Sequence, residues 1–255
     1  MNACLAKPVP EPNKTRITKF IDATEFSHFK RPVLYTGGLD KFYGGHKNTR
    51  VPASGGRLAG LAILRKIKSK KEWADYNKKR DLLAYDTTHL SPYNKFGCVS
   101  VREVFWTFKK YLGSGNELIR QLAWRDFFYN LSATHPYIYT TGNMNKKWNA
   151  IKWENNVAKW HAWCEGRTGF PIVDACMAEI NTTGYMHNRG RLIVSNFLAR
   201  LLHIDWRWGE KYFAQHLYDY DPAQNSFGWQ INAAVSGTES RPINQTILNP
   251  WIQSA

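Results

Sequence analysis

The sequence predicts an all-α fold, and three observations carry that prediction. Apolar residues recur three and four positions apart in successive runs between Gly55 and Leu217, the spacing that gathers them on one helix face. Proline and glycine stand where such runs begin and stop, most clearly Pro171 and Gly184, as first-turn proline and terminal glycine do. With 43% hydrophobic residues over 255 positions the chain can also fill a real core.

Taken in order, Met1 to Ser54 is rich in Lys, Pro, Gly and Asn with only short apolar pieces, and reads as an irregular, solvated lead-in. From Gly55 the run GGRLAGLAILRKI places Leu58, Leu61 and Leu64 at helical spacing, and Lys66 to Lys71 follows as a basic stretch of the kind that usually forms a solvated helix face. Asp86, Thr87, Thr88 and Ser91 precede Pro92 and the helical pattern Val101 to Tyr111. Hydroxyls at a helix start serve either as a plain N-cap or, with the unpaired N–H groups, as an anion site. Glu117 to Leu131 is helical through Leu118, Leu122, Phe128 and Leu131, which sets Gln121, Trp124, Arg125 and Phe128 at one-turn intervals. That arrangement suits either a site for a stacked base or an amphipathic helix with a core tryptophan.

The stretch Gly166 to Gln230 concentrates the chemistry. Ile172, Val173, Cys176, Met177 and Ile180 define a buried helix between Pro171 and Gly184. Arg189 and Arg191 open a second run in which Ile193, Phe197, Leu201 and Ile204 share a face, ending near Asp205. A third run, Glu210 to Leu217, delivers Asp219 and Asp221 into a segment that Pro222 and Gly228 mark as irregular. Two carboxylates and two guanidinium groups are thus expected around non-helical backbone.

The segments TGFPIVDACM, TTGYMHNRGR, IDWRWGEKYF, DYDPAQN and GWQ, preceded in the right order by TTHLSPY and QLAWRDFFYNL, resemble the photolyase/cryptochrome family in its FAD-binding helical domain. The resemblance runs from Tyr76 to Pro250. It implies two regions, a lead-in over 1–54 and a flavin-binding helical domain over 55–255. It also implies FAD as cofactor, held by Tyr76, Thr87, Thr88, Leu90, Ser91, Asn188, Arg191, Asp219, Tyr220, Asp221 and Asn225, with Asn225 opposite the reactive ring nitrogen. Trp229, Trp206 and Trp153 match an electron-transfer relay from flavin to surface. Arg80, Gln121, Trp124, Arg125, Asn188, Arg189, Leu192 and Ile231 fall where the family meets DNA and the damaged pyrimidines.

The function implied is that of a class I photolyase, in which reduced FAD donates an electron under light to split cyclobutane pyrimidine dimers in DNA. Enzymes that act on (6-4) photoproducts carry histidines that would match Asn188 and Leu192, and neither is histidine. The neutral amide of Asn225 is the repair-type residue, where plant light sensors place aspartate. Other features depart from the pattern: Gln121 replaces a glutamate, Leu192 a methionine and Ile231 a stacking tryptophan. The α/β antenna domain and the last helices of the family are not found, which points to a fragment or to one half of a split protein completed by a separate polypeptide. A cryptochrome-like photoreceptor and a non-catalytic basic DNA-binding fragment are the alternatives.

Composition agrees with a nucleic-acid partner. Thirty-five Lys and Arg against twenty Asp and Glu leave a net charge of +15, which favours a polyanion, and no apolar run approaches the ~20 residues of a membrane span. Cys4, Cys98, Cys164 and Cys176 are widely spaced, without the pairs expected of a disulfide framework or zinc site, so reduced thiols, no metal and an intracellular setting are expected. Eleven tryptophans exceed ordinary usage; packing explains most of them, and a chromophore site or stacking surface the rest.

Overall fold

The computed structural model describes residues 50–236 apart from 52, 53, 71, 140 and 141. The lead-in over 1–54 lies almost wholly outside the described residues, and so does the end of the resemblance toward Pro250. Within them, all regular structure is helical, as predicted. The helices are α1 (Arg57–Lys70), α2 (Tyr76–Lys79), α3 (Ser91–Lys95), α4 (Val101–Leu112), α5 (Glu117–Thr134), α6 (Val157–Cys164), α7 (Pro171–Thr183), α8 (Asn188–Asn196), α9 (Trp206–His216) and α10 (Pro222–Asn232). Short 3₁₀ turns occupy Pro136–Tyr139 and Lys146–Ala150, and a π turn extends α8 over Phe197–Leu201.

Helix α7 follows directly from its sequence. Pro171 sits at the first turn, and Asp174 accepts hydrogen bonds from the Thr168 and Gly169 N–H groups at 2.8 and 3.0 Å, tying the preceding loop down. Gly184, at φ +69°, closes the helix with an N–H donated to the Ile180 carbonyl. The five predicted apolar residues are all buried, each contributing about 1.5–3 kcal/mol.

Four expectations need correction. Leu58 is 77% exposed, whereas Leu61 and Leu64 do face the core, joined there by Gly60 and Ile67. Leu201 does not share the face of Ile193 and Phe197: the π turn holds an extra residue per turn, which rotates Leu201 outward to 50% exposure. The third run starts at Trp206, capped by Asp205, whose carboxylate accepts the Arg207 N–H. Finally, Asp221 to Trp229 is not irregular. Pro222 takes the first position of α10, where its missing N–H costs nothing, and Asp221 caps the helix by accepting the Gln224 N–H.

Two hydrophobic clusters form the interior. One joins α1, α4 and the start of α5 around Leu64, Ile67, Val104, Phe108 and Leu118. The other joins α6 to α10 around Trp163, Met177, Ile193, Leu198, Phe213 and Trp229. Helix α10 packs on α9, α5 and α8, so it bridges the halves and faces the space left between them.

Candidate functional site

That space is a cavity of about 540 Å³, within the usual range for small-molecule sites. Val104, Phe108, Leu118 and Leu122 line it from the first cluster, Met186, Phe213, Leu217 and Trp229 from the second.

Its polar wall is organised on Asp219, which is buried. The Asp219 carboxylate accepts the Arg191 Nη2–H at 3.0 Å on each oxygen and the Ser91 hydroxyl at 2.6 Å. Arg191 Nε donates to the Met186 carbonyl at 2.8 Å. Burial opposes the guanidinium charge, but Asp219 outweighs it and holds Arg191 above its ordinary pKa. Asp221, also buried, accepts a hydrogen bond from the Tyr129 hydroxyl and lies 3.9 Å from Lys95 Nζ. Thr87 shares a hydrogen bond with the Tyr185 hydroxyl, and Thr88 Oγ1 accepts the Leu90 N–H.

Tyr76, Thr87, Thr88, Leu90 and Ser91 all line the cavity, as do Asn188, Arg191, Asp219, Tyr220, Asp221 and Asn225. The anion site read at the hydroxyl cluster is altered, because α3 is only five residues long and capped by Leu90 without a side-chain bond. So short a helix has little dipole; the hydroxyls, Asn94 and Lys95 are among the polar groups on that wall.

Asn225 is held more tightly than expected. Its Nδ2 donates to the Glu210 carbonyl at 3.2 Å and to Glu210 Oε1 at 3.0 Å, and the Tyr220 and Ser226 hydroxyls donate to the same Oε1. The Asn225 carbonyl oxygen is thereby left for the cavity. Glu210 was missed by sequence reasoning, as were Tyr129, Tyr185 and Lys95. Their motifs, WGEKYF among them, were visible, but nothing local marks which carboxylate fastens which amide.

Arg80, Gln121, Trp124, Arg125, Leu192 and Ile231 line the same cavity. Trp124 and Ile231 are 37% and 39% exposed, so this part opens to solvent. Trp124 stacks on Phe128, whose ring lies on Phe227. Arg80 pairs with Glu117 at 3.0 Å, and Arg189 pairs with Asp81 away from the cavity wall. Of the relay residues, Trp229 lines the cavity, Trp206 is buried in the core with its indole N–H donated to Asn143 Oδ1 at 2.8 Å, and Trp153 packs half-buried on that core beside His203.

His187 caps α8 by accepting the Arg189 N–H, and burial, then Arg191 and Arg189, hold its imidazole below the ordinary value. His187 Nε2, Asn94 Oδ1 and Trp229 Nε1 are buried without a protein partner on cavity-lining residues. Buried polar atoms ordinarily have partners, so these fit a ligand rich in donors and acceptors. Among the described residues no group of His, Cys, Asp and Glu could hold a metal ion, and no helix is long and apolar enough to cross a membrane.

Comparison with known proteins agrees with this architecture. Residues 118–255 match the family described as the FAD binding domain of DNA photolyase. The chain is 41% identical over 189 residues to a deoxyribodipyrimidine photo-lyase of Neurospora crassa, which covers 70% of this chain and 30% of that protein. It is 41% identical over 187 residues to the deoxyribodipyrimidine photo-lyase of Vibrio cholerae, covering 70% of this chain and 39% of the other. Among solved structures, an archaeal photolyase from Sulfolobus tokodaii with two FAD molecules superposes with a TM-score of 0.72 at 37% identity, over 85% of this chain and 47% of that one. A cryptochrome from Synechocystis gives 0.69 at 33% identity, over 77% and 42%. The chain therefore spans less than half the length of each of these relatives. The helical order, the cavity between two cores and these matches together make this chain a member of the photolyase/cryptochrome family, in its FAD-binding helical domain.

Proposed function

We propose that this chain binds FAD in the cavity and belongs to a DNA photolyase that splits cyclobutane pyrimidine dimers under light. The observation that carries the reading is the continuity of one cavity. Its interior presents Asp219, Arg191 and Asn225, and its open part presents Gln121, Trp124 and Arg125. A cofactor site and a site for flipped bases are thereby in direct communication, as repair by electron transfer requires.

When bound and reduced, FAD supplies the one-electron donor that light activates. The chain supplies positioning. Arg191, fixed by Asp219 and Met186, offers a stationary cation. Asn225, its Nδ2 engaged by Glu210, offers a carbonyl oxygen to a ring N–H. Trp124 offers a face for stacking, with Gln121 one turn back and Arg125 next in sequence for base edges. Trp229, Trp206 and Trp153 lie in or against one core at decreasing depth, which supports a path for electrons between cavity and solvent. The net charge of +15 supports attraction to DNA.

The test is an absorption spectrum of the purified protein before and after blue light with a thiol, followed by an assay of dimer-containing DNA. Flavin bands that bleach on illumination and dimers that disappear support the proposal. A colourless protein refutes it. Flavin without repair would favour the photoreceptor reading, to which the Ile231 and Gln121 departures incline.

A further inference from the structure

Most donors on the hydroxyl-bearing wall of the cavity are already committed. The Ser91 hydroxyl is spent on Asp219, Thr87 shares its hydroxyl with Tyr185 at 3.3 Å, and Lys95 Nζ stands 3.9 Å from Asp221. Among them lies His89, the residue of the Thr87–Ser91 run to which the resemblance gives no role, and it too lines the cavity. Its backbone is left-handed, at φ +48°, which residues other than glycine adopt sparingly and mostly at turns and ligand sites. Nε2 lies 2.8 Å from Asp86 Oδ1, and the ring leans on that of Tyr185 with centroids 4.5 Å apart. Nδ1 is buried and meets no protein partner.

A carboxylate only accepts, so Nε2 carries the proton in its bond to Asp86. Nδ1 is then a bare acceptor while the ring is neutral, and a donor only once the ring is charged. An anion set against Nδ1 therefore draws a proton onto it. Of the titratable groups around the ring, Asp86 and Glu179 are carboxylates that favour its charge, and Tyr185 is a phenol that burial keeps neutral. His187, lowered by burial, and Arg191, whose guanidinium lies 5.3 Å from the Tyr185 ring, oppose it. His187 also supplies a neutral donor. Its Nδ1 accepts the Arg189 N–H, which leaves the proton on Nε2, buried and unpartnered on a residue of the same cavity.

We propose that His89 binds the diphosphate of FAD as an imidazolium, so that cofactor binding takes up a proton at this ring. The inference rests on the flavin reading above. The proton comes from solvent and settles on Nδ1, between the ring and a phosphate oxygen, and no other covalent bond forms or breaks. Because binding consumes a proton, FAD affinity falls as pH rises out of the range in which the free ring is charged, by up to about tenfold per pH unit.

Equilibrium dialysis of the full chain against FAD, at constant ionic strength between about pH 5 and 8, reads this linkage, and riboflavin serves as the probe without a phosphate. His89→Asn keeps a residue that tolerates the left-handed backbone, and circular dichroism checks that it is folded. It should bind FAD about tenfold or more weakly at the acid end, as loss of a hydrogen bond to a charged group implies, and bind riboflavin as the parent does. The gap in FAD affinity should close as pH rises, since Glu179 and His187 titrate in both proteins and cancel in the ratio. A ratio of FAD affinities that stays constant across the range overturns the proposal. So does an equal loss of FAD and riboflavin, which would make His89 a structural residue of its loop; in both cases the flavin reading stands. If the unmodified chain binds neither FAD nor riboflavin, that reading falls and takes the inference with it.

Discussion

Replacing Asp219 by alanine removes the carboxylate that pairs with Arg191, and the consequence can be sized from the structure. Asp219 is 6% exposed and receives Arg191 Nη2–H on both oxygens at 3.0 Å. Breaking a buried pair by deleting one partner typically costs ~3–5 kcal/mol, because the other charge stays behind without compensation. Arg191 shows 26% of its side chain to the cavity, where water relieves part of the charge, so the lower end, ~3 kcal/mol, is expected. That is about a hundredfold in the folding equilibrium, and with m near 2 kcal/mol/M it lowers the urea midpoint by roughly 1.5 M. The double variant Arg191→Met/Asp219→Leu should recover most of this loss, since no charge then remains unpaired. Urea unfolding of the three proteins decides the matter. A loss below ~1 kcal/mol for Asp219→Ala would mean that the pair behaves like a solvent-exposed one. A double variant at least as damaged as the single would refute the argument from uncompensated charge.

Three further predictions follow from packing and titration. At Gly209 an added Cβ would lie 2.1 Å from Trp229 Cη2 and 2.7 Å from Leu198 Cδ2; Gly209→Ala should cost at least about 1–3 kcal/mol and shift Trp229 on the cavity wall. A Tm within a degree of the parent (about 0.3 kcal/mol at this size) would show that the contact relaxes freely. His187 has its pKa held below the ordinary 6.5 by burial, Arg191 and Arg189. The unfolded chain therefore takes up the proton first, and stability should fall as pH drops below about 6.5. His187→Asn keeps a capping side chain and should lack that loss, while Glu179, raised by burial, acts with the opposite sign in both proteins. Equal acid loss in both would contradict the assignment, and denaturant midpoints at neutral and mildly acid pH read it. Asn225→Asp would set a second carboxylate about where Nδ2 now lies, 3.0 Å from Glu210 Oε1. One of the two should then keep its proton, and stability should fall as pH rises through that raised pKa. A stability profile in Asn225→Asp that matches the parent would refute the Glu210 contact.

Much of the helical order was legible because helix formation is local. Pro171, Gly184 and five apolar residues at three-to-four spacing define α7 without reference to anything distant. Helix α10 was misread at the same local level: Asp221-Pro222 is a capping pair as well as a breaker, and only packing of Phe227 and Trp229 into the core decides for the helix. Leu201 was placed on the wrong face because periodicity assumes a uniform turn, whereas the backbone widens at Phe197–Leu201.

By itself, the sequence determined the fold class, the family and the inventory of charged, amide and indole groups, since these depend on residue type and on spacing within a turn or two. Only the tertiary structure decided that Ser91 reaches Asp219 across 128 positions, that Glu210 restrains Asn225, and that Trp163 rather than Trp206 makes ring contact with Trp229. Such contacts arise where separate helices pack, and their distances are set by close packing of side chains from the whole core, which no short window of residues contains.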